Sequence, residues 1–132
     1  MSDRSPDRLK VWSDAAALSM QKWQASAAHT IVLDPPPSGI KIQDCATALS
    51  SPIDCASSII STYTNLVTAV DAVAPDGTTH VEVSPWFCSE EGVCPAFIGD
   101  TIVLADGGHL TADMSRELVP LMSEAFAPAL TH

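Results

Sequence analysis

Two short apolar runs, His29 to Leu33 (HTIVL) and His80 to Ser84 (HVEVS), stand on either side of a long stretch from Ala56 to Val73. In that stretch Ile59, Ile60, Tyr63, Leu66, Val67, Val70 and Val73 recur at three- and four-residue intervals and draw one apolar stripe down a helix. A strand, a crossover helix and a second strand close as a parallel pair with the helix packed across it. This pattern places the chain in the α/β class. Asp34-Pro35-Pro36-Pro37 ends the first strand, because proline cannot donate to a ladder. Pro75-Asp76-Gly77 ends the helix with a turn.

The remaining elements fit around this frame. Ser13 is positioned to cap a helix running to about Ala27, with Ala16, Met20, Trp23 and Ala27 on one face. From Pro35 to Pro52 the chain is polar and irregular. Thr101 to Leu104 (TIVL) reads as a short third strand or an extended piece. Thr111 caps a last helix, Asp113 sits favourably in its first turn, and Met114, Leu118, Leu121, Met122 and Ala125 form its inner side. Pro120 should kink or divide that helix. Two or three strands are few for an α/β sheet, so the chain reads as the latter half of such a domain. The expected organisation is a disordered segment over residues 1–11 and a partial domain over 12–130.

At 132 residues and 46% hydrophobic content, a single domain with a real core is expected. Six basic residues against 16 acidic ones give a net charge of −10, which disfavours nucleic acid and anionic lipid as partners. No apolar run approaches the roughly 18–20 residues of a membrane span. The start, MSDRSPDRLKVWSD, lacks the apolar stretch of a signal peptide. The four cysteines point elsewhere. Cys45 with Cys55, and Cys88 with Cys94, each bracket a loop containing Pro, Ser or Gly in which two Cα atoms can approach within disulfide reach. Neither spacing is that of a zinc knuckle. Two local disulfides are favoured over four reduced thiols, and they imply an oxidising compartment. A longer exported or membrane-tethered protein containing this chain would reconcile the two signals.

The densest polar cluster is Asp106-Gly107-Gly108-His109-Leu110-Thr111, just before the last helix. An Asp three residues before a His in a glycine-rich turn can fold back onto the imidazole, fixing its tautomer for general-base work. A plain structural turn fits the same spacing.

The surrounding residues add to this. From Cys88 to Pro120 the chain reads CSEEGVCPAFIGDTIVLADGGHLTADMSRELVP. A Cys-Pro segment, a short apolar strand, an Asp-x-x-His-Leu-Thr turn and an Arg-x-Leu-x-Pro helix follow one another. This resembles the end of the SGNH domains fused to bacterial membrane O-acyltransferases, of the O-antigen and cell-wall acetylase type. Upstream, the order of strand, Pro-rich exit, paired-Cys loop, long helix and strand is also similar, so the resemblance spans about Trp12 to Leu130.

It implies a partial SGNH (flavodoxin-like) three-layer α/β fold, with a short parallel sheet flanked by helices. It implies that His109 is the general base of a Ser-His-Asp triad and Asp106 the acid that orients it, with no cofactor and no metal. The family's serine lies in an N-terminal Gly-Asp-Ser motif, and its oxyanion-hole donors lie in the next two blocks; none is recognisable in this chain. Gly99-Asp100 is followed by Thr101 and lies beside the His motif. Where the family often has an aromatic residue and an Arg before the Asp, this chain has Leu104-Ala105. Without a nucleophile or oxyanion hole, the chain alone should be inactive or nearly so. The implied partners are an acyl donor, a glycan acceptor, and the missing N-terminal SGNH segment or a membrane acyltransferase domain. The implied location is extracytoplasmic or cell-surface. An uncovered sheet edge would also favour a homodimer.

Other residues carry plainer expectations. His29 and His80 are expected to be ordinary strand-edge residues, and His132 a disordered terminus. Trp12, Trp23 and Trp86 should pack in the core. Pro35 to Pro37 serve as a stiff strand exit, and none of Ser50, Ser51, Ser57 or Ser58 sits in a nucleophile elbow. Three functional readings remain: part of an acyl-transfer or ester-hydrolysis domain, an inactive remnant that binds glycan or protein, and a small disulfide-stapled secreted binding domain.

Overall fold

The computed structural model describes residues 6–131. In chain order the helices are α1 (Pro6–Ser26), α2 (Ile42–Cys45), α3 (Ser61–Ala72), α4 (Ser84–Phe87), α5 (Ala112–Glu117) and α6 (Val119–Leu130). The strands are β1 (Thr30–Leu33), β2 (Ser57–Ser58), β3 (Thr78–Val81), β4 (Val93–Cys94), β5 (Phe97–Ile98) and β6 (Thr101–Ile102). These form two compact units. The sheet unit holds the residues up to Asp34 and Ile60–Val81; the hairpin unit holds Pro35–Ile59 and Glu82–Thr131.

In the sheet unit β1 and β3 pair in parallel, Thr30 opposite Thr78 through Leu33 opposite Val81, and the Asp34 N–H extends the ladder to the Val81 carbonyl at 3.2 Å. Helices α1 and α3 pack together beside this pair, and Met20 of α1 is 2% exposed. Gln24 of α1 donates to the Asp76 carbonyl at 2.8 Å and to Thr78 Oγ1 at 3.0 Å, fastening the helix to the turn that opens β3. The expected strand, crossover helix and parallel strand are therefore present.

Residues 6–11 of the segment expected to be disordered belong to helix α1; residues 1–5, and His132, lie outside the described residues. Ser13 is buried within α1, its hydroxyl donating back to the Lys10 carbonyl at 3.0 Å, so it caps nothing. The α3 stripe is also shorter than expected. Ile60 is extended (φ −94°, ψ 152°), and Ser57 and Ser58 form β2 instead of a first helical turn. Trp12 and Trp23, expected in the core, are more than half exposed, whereas Trp86 is partly buried. The second strand is shifted, ending at Val81, with Ser84 opening α4.

The hairpin unit is held by short antiparallel pairings and two disulfides. β2 pairs with β4, Ser57 opposite Cys94, and Cys45–Cys55 and Cys88–Cys94 are bonded. Its core is Cys55, Val83, Phe87, Cys94, Val103, Met114, Leu118 and Ala129. Thr101 and Ile102 do not join the parallel sheet. They fold back on β5 through Gly99, whose φ of 58° lets the chain reverse within two residues. Pro120 divides the last helix as expected: α5 stops at Glu117, and Pro120 sits in the first turn of α6, where its missing N–H costs nothing.

The disulfides close short loops within a unit that has little regular structure. Closing the Cys88–Cys94 loop should contribute about 2 kcal/mol by constraining the unfolded chain. The Cys88→Ala/Cys94→Ala double variant is expected to unfold several degrees below the parent in a thermal melt. Equal midpoints would show that the bond does not stabilise the loop.

Candidate functional site

Buried Val103 anchors the segment that carries the site. Its N–H donates to the Ala96 carbonyl at 3.0 Å, and its own carbonyl accepts from the Thr111 N–H at 3.0 Å. Leu104 and Leu110 form an antiparallel bridge, and the Ala105 N–H donates to the His109 carbonyl at 2.7 Å. The chain therefore runs out, turns over residues 106–109, and returns. At the return, Thr111 Oγ1 accepts from the Met114 N–H at 3.1 Å, capping α5 as expected.

The tip of the turn depends on Gly107. Its φ is +87°, and a Cβ built there would lie 2.8 Å from the Gly39 carbonyl oxygen. The Gly39 N–H meanwhile donates to the Gly107 carbonyl at 2.9 Å, so the loop after Pro37 braces the turn from the side. Only glycine fits both the backbone angle and the close approach.

Within this turn Asp106 and His109 meet. Asp106 Oδ1 accepts from the Gly108 N–H at 3.1 Å and from the His109 N–H at 2.9 Å, an Asx turn that orients the carboxylate. His109 Nδ1 lies 2.8 Å from Asp106 Oδ2 and 3.0 Å from Oδ1. The His109 side chain bonds and the two backbone N–H groups hold the Asp106 carboxyl down at about 2, well below the usual carboxylate range. An ionised Asp106 only accepts hydrogen bonds. The neutral ring that satisfies it carries its proton on Nδ1, leaving a lone pair on Nε2. The pair is exposed, with 84% of the His109 side chain open to solvent, so Nε2 is accessible to a reacting group.

The structure thus brings Asp106 and His109 together and pairs Cys45 with Cys55 and Cys88 with Cys94. Gly99-Asp100-Thr101 forms a hairpin reversal, with the Thr101 hydroxyl donating to Glu117, and has no strand-to-helix elbow. One cluster escaped the sequence reading. His80, expected to be an ordinary edge residue, pairs with buried Asp34 in the sheet unit. The signal was present in principle, since parallel register sets Val32 opposite His80 and puts Asp34 two residues along the same face.

A mixed α/β chain with a short parallel sheet flanked by helices has the layout of a partial SGNH fold. The family model described as the SGNH domain (fused to AT3 domains) matches residues 3–124. The chain belongs to this family, whose chemistry is of the esterase and acyltransferase type. No curated protein and no solved structure matches it significantly.

The lowered Asp106 carboxyl has a pH consequence. A group held below its unfolded value, 3.8 for Asp, contributes stability that is present above about pH 4 and lost as pH falls toward 2. A carboxyl-carbon NMR titration should therefore place the Asp106 midpoint near 2, and His109→Ala should move it back toward the ordinary range. A midpoint near 4 in the unsubstituted chain would show that the turn does not hold the carboxylate.

Proposed function

We propose that Asp106 and His109 are the acid–base half of a serine-dependent acyl-transfer or ester-hydrolysis site that acts on acyl esters of glycans. The carrying observation is the Asp106 carboxylate on Nδ1, which leaves His109 Nε2 turned outward. Nε2 takes the hydroxyl proton of a serine as that oxygen bonds to the acyl carbonyl carbon. It then returns the proton to the alkoxide that leaves when the ester bond breaks. Asp106 stays ionised throughout and stabilises the imidazolium.

The serine and the oxyanion donors come from polypeptide outside these 132 residues: an N-terminal SGNH segment or a membrane acyltransferase domain. Among the described residues the β1–β3 sheet has two strands, and a strand of such a segment, or of a second copy of the chain, would extend it. Disulfides in both paired-Cys loops support an extracytoplasmic location. Among the described residues no helix is long and apolar enough to cross a membrane.

A second reading, an inactive remnant that binds glycan or protein, draws on a shallow groove in the hairpin unit. Asp100, Asp113, Arg116 and Glu117 line it, with Thr101 and Thr111 between them. Carboxylates, a guanidinium and hydroxyls are the groups that hydrogen-bond sugar hydroxyls.

Hydrolysis of a chromogenic acetyl ester separates the two readings. This chain alone should show only background turnover. Joined to the Gly-Asp-Ser half of an SGNH domain, it should become active and lose about 10²–10⁴-fold with His109→Ala. Turnover by the chain alone that survives His109→Ala would remove the pair from the chemistry. Glycan binding with no turnover in the joined protein would favour the remnant.

A further inference from the structure

A second Asp–His cluster lies in the sheet unit, apart from the triad pair. Asp34 follows β1, is 5% exposed, and places Oδ1 2.7 Å from His80 Nε2. Its other oxygen is buried and meets no donor among the described residues. On the far side of the ring, His80 Nδ1 lies 3.2 Å from Asp71 Oδ1, near the C-terminal end of α3. The imidazole thus sits between two carboxylates, one buried and one exposed, that belong to different elements.

We propose that His80 is a proton-dependent clasp that fastens the end of α3 to the exit of β1. Each ring nitrogen faces a carboxylate oxygen, and only the imidazolium carries two N–H groups to match them. A neutral ring must turn a lone pair toward one of the carboxylates. Asp34 is the costlier group to abandon, since a buried carboxylate with an unpaired oxygen already lacks hydration and depends on the facing cation. Deprotonation therefore favours keeping Asp34 and releasing Asp71, which can return to water.

Among the described residues the charged groups paired with the ring are Asp34 and Asp71. Lys10 and Asp14 of α1 pair with each other, and Glu82, two residues further along the chain, accepts from the Ser84 hydroxyl. The sign follows from proton counting. The clasped state holds a proton that the released state gives up, so the contact is complete on the acid side and fades as pH rises. In the clasped state both ring nitrogens of His80 are engaged, whereas Nε2 of His109 is open, so the cluster acts as a conformational device independent of the acyl-transfer reading.

Thermal melts and amide exchange of the full chain at pH 5.5 and 8.5 test this, compared with His80→Gln and Asp71→Asn. The unsubstituted chain should lose protection at the last turn of α3 several-fold at the higher pH, beyond the intrinsic rise in exchange. Asp71→Asn, altered at an exposed position, should show low protection at both pH values, and His80→Gln should flatten the pH dependence of the midpoint. The other histidines are the same in all three proteins, so the difference between profiles isolates the contact at His80. Parallel pH profiles, with α3 protection unchanged in Asp71→Asn, would overturn the clasp; if His80→Gln fails to fold, Asp71→Asn alone decides.

Discussion

Everything at the candidate site follows from one carboxylate accepting several donors at once. Asp106 receives two backbone N–H groups and the ring of His109, and this is possible because Gly107 takes a left-handed conformation that brings residue 109 back over residue 106. The Leu104–Leu110 bridge below and the Gly39 contact beside it remove the turn's freedom to open. An exposed ion pair between mobile side chains is worth little. Here the backbone fixes both partners first, so the geometry does not rest on the attraction between the two side chains.

The molecule contains two Asp–His pairs that differ in what is left over. At His109 one ring nitrogen is engaged and the other is open to solvent, the condition for a base. At His80 both nitrogens face carboxylates and the ring is mostly covered, the condition for a structural contact. Asp34 is buried where Asp106 is exposed, so the same two side chains serve different ends because of solvent access and the number of facing acceptors.

Local chemistry was legible in the sequence; partners distant along the chain were not. The Thr111 cap, the Pro120 break and the strand ending before Pro35 each depend on a few neighbouring residues, and each lies where expected. The approach of Asp106 to His109 is equally local. Ser13 misled because a good capping residue inside a helix can satisfy its hydroxyl on the preceding turn. The β2–β4 pairing took Ser57 and Ser58 out of α3 through a contact that no periodicity encodes, and His80 found Asp34 across a strand register that only the fold fixes. The tryptophans failed for another reason: size and hydrophobicity predict burial only when the facing layer is present, and Trp12 and Trp23 lie on a helix whose outer side meets solvent.

The central claim is that the turn fixes which nitrogen of His109 carries the proton, so that the other is free to accept one. Nitrogen-15 NMR of the histidine rings above neutral pH reads this directly. The account predicts a His109 with its proton on Nδ1 and an unprotonated Nε2, and loss of that preference in Asp106→Asn. A His109 protonated on Nε2, or one exchanging evenly between the two forms with Asp106 intact, would contradict it.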